Sequence, residues 1–306
     1  MTGFSRAAAA LAALLAGPAA AQPADGPAPA AAASPVAAAA AAAAFRADIA
    51  RLYAVDAQAR QSRGGREGIS GELDAFWERV KADRPTYLPL LRAELARAGN
   101  PAFFYFDGAE LLRSASELRE DRALALAATA RADLTSIDPA GYLAAIVWYA
   151  NNGFDTRAAA LRFLELPRNT EIIVQPFPHV FTYSRLEAMV FTLFPMDEAR
   201  FVGDLIARVQ TASDDMHIFY LLHCIWASAT PEGRAALAAY AEDSGKPEAA
   251  RRYAREMLAH RGDGPMPSES ADELRRQRRA ILVDPFQHGS FERFHAITDQ
   301  LVRIAS

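Results

Sequence analysis

The side chains that could do chemistry are six histidines, one cysteine, and an aromatic block that ends in an aspartate. His288, Glu292 and His295 stand at i, i+4 and i+7, the nearest approach to a metal-binding pattern in the chain. Gly289 and Ser290 follow His288 and place it before the helix, so no metal is expected there. His217 and His223 are six residues apart, about 120° around a helix, and do not converge on one ion. His217 and Cys224 share a face but lie about 10 Å apart along the axis, too far for one metal. His260 falls at a helix C-terminus, where an imidazolium complements the dipole. His179 lies in a proline-containing loop and is the histidine to test first. No nucleophile elbow, phosphate loop, dinucleotide fingerprint or His-Glu-x-x-His motif occurs, so no catalytic residue and no cofactor are assigned.

The block Phe103-Phe104-Tyr105-Phe106-Asp107 is the stronger signal. Four consecutive aromatics cannot share one face of a helix. One reading puts Phe103 and Phe106 in the core, with Phe104 or Tyr105 against the next hairpin. The other makes a recognition surface from Tyr105, Asp107, Trp148, Asn152 and His179, with Asp107 as polar anchor. The run Arg275-Arg276-Gln277-Arg278-Arg279 follows Asp272-Glu273, a spacing that predicts a salt-bridged surface helix.

The elements that carry these residues read as helices throughout. Phe45, Ile49, Leu52 and Tyr53 mark one amphipathic face. Asp138-Pro139 and Thr230-Pro231 each set a capping side chain before a proline at the first helical position. Ser184 with Glu187 spells a capping box, and Asp197 is a further cap. These signals predict helices over Pro139–Asn151, Arg185–Leu193, Glu198–Val209, Asp215–Ala227 and Pro231–Ala241, joined by short connections. Ile172-Ile173-Val174 has no evident partner strand, so Glu171 to Phe181 reads as an ordered loop.

Upstream of the helices, Arg6, the apolar run Ala7 to Gly17 and the small residues ending at Ala21 read as a secretory signal peptide over 1–21. Residues 22–44 read as a disordered Ala/Pro-rich tether, although Ala37 to Ala44 has the propensity to extend the next helix backwards. Residues 45–306 read as one all-helical domain. Export makes the periplasm or the exterior the expected location. Cys224, the single cysteine, cannot form an intramolecular disulfide and sits in an apolar run where it reads as a small buried hydrophobe. Only Lys81 and Lys246 among the 33 basic residues are lysine, a bias that removes arginine abundance as a functional signal. The formal charge of −4 argues against nucleic acid as partner, and no apolar stretch after the signal is long enough to span a membrane.

Tyr149 to Ala159 (YANNGFDTRAA) parallels Tyr240 to Ala250 (YAEDSGKPEAA), with one helix ending in Tyr-Ala, a turn at Gly, and a restart at Ala-Ala. This resembles the helical-hairpin unit of tetratricopeptide-like and HEAT-like α-solenoids, although the consensus motifs of both families are absent. The resemblance implies an all-α fold of stacked antiparallel hairpins with a binding face and no catalysis; the alternative is an irregular helical bundle. The expected function is an exported binding or scaffold protein whose partner is another envelope protein or a peptide. The rival is a helical hydrolase using Asp107, Glu187 or His179 as acid or base.

Overall fold

The computed structural model describes residues 35–61, 67–100, 102–134, 137–167, 170–174, 180–262 and 266–305. The stretch read as a signal peptide and the first part of the expected tether lie outside these residues. The fold is all-α: the described residues form 14 α-helices, one 3-10 turn and one two-stranded hairpin. They gather into two compact units within the span read as a single domain, one ending at Ile137 and the other beginning at Asp138.

The first unit holds α1 (Pro35–Gln61), α2 (Glu67–Ala82), α3 (Arg84–Ala96), α4 (Ala102–Ala115) and α5 (Arg119–Thr129). Helix α1 runs through Ala37 to Ala44, so the second half of the supposed tether is helical. Alanine supplies that propensity without burial, since these residues are mostly exposed. Each helix packs on the next, and α3 also touches α1 and α5, the contact pattern of consecutive hairpins. The core is aromatic. Phe45 stacks on Phe76 at 5.5 Å, and Trp77 stacks on Phe104 at 5.9 Å. Gly108 admits the close packing of α4, because a Cβ there would lie 3.3 Å from both Leu91 and Trp77.

Two buried carboxylates tie this unit together. Asp121 receives both Nε and Nη2 of Arg92 at 2.6 Å, a bidentate charge-assisted pair. Those hydrogen bonds from Arg92, reinforced by Ser116, hold the Asp121 carboxyl below its ordinary range. Glu94 accepts from Arg46 and Arg97 at 2.9 and 2.7 Å.

The second unit contains α6 (Pro139–Asn151), α7 (Arg157–Leu161), a 3-10 turn (Arg162–Glu165), β1 (Ile172–Val174), β2 (Phe181–Tyr183) and α8 (Arg185–Leu193). It continues with α9 (Glu198–Thr211), α10 (Asp215–Ala227), α11 (Pro231–Glu242), α12 (Glu248–Ala259), α13 (Ala271–Val283) and α14 (Ser290–Ala305). Local chemistry starts the helices where expected. Asp138 accepts from the amides of Ala140 and Gly141, Thr230 from Gly233, and Ser184 and Glu187 close a reciprocal capping box.

Ile172-Ile173-Val174 is a strand, not a loop. Its partner is Phe181–Tyr183, in antiparallel register with Ile172 opposite Tyr183. Ile172 and Val174 point into the core while Ile173 is 45% exposed, the two-residue alternation of a half-buried strand.

Helices α9 to α12 stack as consecutive hairpins, with α10 touching α9, α11 and α12. The hairpin α13–α14 returns to contact α10 and, through α13, α6. Repeats of an open solenoid contact only their neighbours, so this return is a non-local closure that the hairpin resemblance does not supply. The two similar turns also diverge: Gly153 has φ +75°, whereas Gly245 does not adopt the left-handed region. Tyr149 and Tyr240, which open the matched segments, are both about 1% exposed.

The closure is polar at its centre. Arg278 is 1% exposed and gives Nη2 to Glu198 at 2.5 Å, with Nη1 donating to the Ala227 carbonyl at 2.7 Å and to Thr298 at 3.0 Å. Phe194 and Phe294 lie 4.8 and 5.1 Å from its guanidinium carbon. The basic run is therefore not wholly a surface face. Arg276 pairs outward with Glu273, but Arg278 turns inward toward a carboxylate 80 positions away.

Candidate functional site

Three helices of the second unit bring three of the six histidines around one tryptophan. Trp226, near the end of α10, has its ring 5.5 Å from His223, 5.5 Å from His260 and 6.1 Å from His295. His223 comes from α10 itself, His260 from the C-cap of α12, and His295 from α14. Their spacing on α10 (i, i+3) and on α14, where Asp299 follows His295 by four, sets these groups on inward faces. His223 Nε2 lies 3.3 Å from His295 Nε2, and its Nδ1 lies 3.2 Å from the Tyr253 hydroxyl. His260 Nε2 meets Asp299 Oδ1 at 2.8 Å. Phe291 sets its ring edge-on to His295 at 4.6 Å, closing one side.

Two imidazoles facing each other through Nε2 can share one proton but cannot both be cations without repulsion. Burial, then the charge of His295, pushes His223 down to about 3. Burial also lowers His295, against the opposing pull of Asp299 and Glu292. Both rings are therefore neutral near pH 7. The ordinary histidine value of about 6.5 applies to the unfolded chain, so the unfolded chain takes up protons first as the pH falls. The second unit is expected to lose stability progressively as the pH falls from about 6.5 towards 3. Urea midpoints at pH 7 and pH 5 should differ for the natural chain, and the difference should shrink in His223→Gln. Equal pH slopes in the two proteins would contradict this account of the cluster.

Trp226 also lines a partly enclosed recess walled by Leu237, Met257, Leu258 and Val302, with Thr230 and Arg234 among its lining residues. The Trp226 indole N–H is buried and meets no acceptor among the described residues. Ala229, also in the lining, holds φ +49°, the left-handed conformation that L-residues rarely adopt. Among the described residues no three His, Cys, Asp or Glu side chains converge to hold a metal.

The residues singled out from the sequence lie elsewhere. Tyr105 is buried in the first unit. Its hydroxyl donates to the Arg97 carbonyl at 2.7 Å and accepts from the Asn100 amide at 3.2 Å, so it ties the α3–α4 turn. Phe104 is fully buried against Phe45 and Trp77 of neighbouring helices, whereas Phe106, expected in the core, is only half-buried. Phe104, with Gly108 four positions on, forms the face of α4 that meets Trp77. Asp107 is half-buried on the same helix. Trp148 and Asn152 belong to the second unit. Trp148 stacks on Phe154 at 6.4 Å, and Asn152 caps α6 by donating to the Trp148 carbonyl at 2.8 Å. His179 lies outside the described residues. The Glu187 carboxylate is engaged at the Ser184 amide in the capping box. Of the His288, Glu292 and His295 pattern, only His295 enters the cluster. Cys224 is buried and its thiol is pushed up to about 12 by burial, so it is an inert packing residue.

No helix among the described residues is long and apolar enough to cross a membrane. Comparison with family models, curated proteins and solved structures finds no match to this chain.

Proposed function

We propose that the protein is an exported binding protein of the cell envelope, and that its second unit recognises a partner polypeptide at the Trp226 recess. The observation that carries this reading is the combination of apolar walls with a buried indole N–H that lacks an acceptor. A bare buried donor costs free energy unless something completes it. A peptide docking one apolar side chain against Leu237, Met257 and Leu258 presents a backbone carbonyl of the kind the indole needs. Tryptophan with an aliphatic surround is the composition of an interface hot spot. Consecutive hairpins α9 to α12 supply a rigid support for such a surface. The signal-peptide pattern of residues 1–21 supports the compartment.

A photo-crosslinking residue placed at Met257, at the recess, is expected to give one discrete adduct in intact cells. The same residue at Val283, an exposed position outside the recess, should not give it. Adducts of equal identity and yield from both positions, or none from Met257, would overturn the reading.

A further inference from the structure

A second site in the same unit rests on a different observation. Arg185, the first residue of α8, is 1% exposed. Its Nη1 donates to the carbonyls of Leu164 at 3.4 Å and Leu166 at 2.7 Å, which close the 3-10 turn. Tyr220 lies under the guanidinium, 5.2 Å from its carbon to the ring centre. Both Nε and Nη2 are buried with no hydrogen-bond partner among the described residues. An arginine is charged at every relevant pH, and a buried cation without an anion is strongly unfavourable. The two bare donors are not scattered. Nε–H and one Nη2–H point the same way from the planar group and form the side-on edge that takes a carboxylate in bidentate fashion.

The neighbouring carboxylates are already committed. Glu187 holds the Ser184 amide, Glu165 pairs with Arg162, and Asp214 caps the His217 amide. His217 is the partly exposed group near this arginine: its side chain is 30% exposed, and it feels both the Leu164 carbonyl and the Arg185 charge. Asp214 Oδ1 stands 3.9 Å from His217 Nε2. Burial lowers the His217 pKa, and Arg185 and Arg208 add to the fall against the pull of Asp214. Arg185 and Arg208 thus both bear on that imidazole, opposed by Asp214.

We infer that the Nε/Nη2 edge of Arg185 is a binding site for a small carboxylate, with His217 as the outer, solvent-facing contact. The site goes beyond the recess at Trp226 and uses none of its residues. A planar carboxylate matches two parallel N–H donors better than a tetrahedral oxyanion does.

The test is an NMR titration of the mature chain with sodium acetate, against sodium chloride at equal ionic strength, with sodium phosphate as a separate arm. Acetate is expected to shift the Arg185 Nε–H resonance saturably and to raise the titration midpoint of His217, because the new negative charge favours the imidazolium. Arg185→Lys keeps the charge but loses the edge, and should lose the saturable response. His217→Gln leaves Arg185 in place and should weaken saturation several-fold while preserving the Nε–H shift, which keeps the test valid if the lysine variant does not fold. An acetate response no larger than that of chloride would overturn the site. A folded Arg185→Lys protein that still raises the His217 midpoint would do the same. A phosphate response stronger than that of acetate would overturn the assignment to carboxylates. None of these outcomes bears on Trp226, so failure here is distinct from failure of the recess.

Discussion

Replacing Glu198 with alanine is expected to destabilise the second unit by about 3–5 kcal/mol, the cost of leaving a buried charge without its partner. Arg278 has nowhere else to send that charge. Its remaining contacts are the neutral carbonyl of Ala227, the hydroxyl of Thr298 and two phenyl faces. Burial lowers the Arg278 pKa to about 10 even with Glu198 beside it, yet the group stays charged at neutral pH. Removing both charges should cost far less than removing one, because apolar side chains of similar volume can fill the same space. The double variant E198Q/R278M is therefore expected to be more stable than E198A in urea unfolding. A double variant as unstable as the single one would show that packing, not charge, dominates at this junction.

Tyr105→Ala is expected to destabilise the first unit by roughly 3–5 kcal/mol, the range for removing a buried aromatic. Tyr105→Phe should cost only about 1 kcal/mol, since it removes the hydroxyl that holds the Arg97 carbonyl and leaves the ring and its contact with Arg131 in place. Thermal or urea unfolding of the two variants separates the ring's share from the hydroxyl's. A phenylalanine variant as damaged as the alanine one would mean that the turn bond, rather than packing, carries this position.

What the sequence made legible was local. Asp138-Pro139, Thr230-Pro231 and the Ser184–Glu187 box predicted helix starts because each cap acts within three residues of itself. The burial of Cys224 followed from its apolar run. What escaped required partners far along the chain. Ile172–Val174 looked unpaired because Phe181–Tyr183 lies beyond two prolines. Arg278 looked solvated because three other arginines flank it and Glu198 is 80 positions away. The His223–His295 pair joins helices separated by 72 positions, and no i, i+4 pattern on one helix specifies a match on another. Tyr105 attracted attention as a recognition residue because hydropathy marks an aromatic without saying which face it turns; its hydroxyl bond to Arg97 resolves that. Phe104 and Gly108 together were the available hint, since a small residue four positions on marks the face that packs closely.

The central claim is that the Trp226 recess is where the protein meets its partner, and affinity measured beside stability tests it most directly. Met257→Glu places a charge in the apolar wall from a half-buried position, so the fold should persist. Calorimetric titration with the polypeptide crosslinked at that position should show affinity reduced at least tenfold, about 1.4 kcal/mol, with an unfolding midpoint near that of the natural chain. A folded Met257→Glu protein that binds with undiminished affinity would contradict the account.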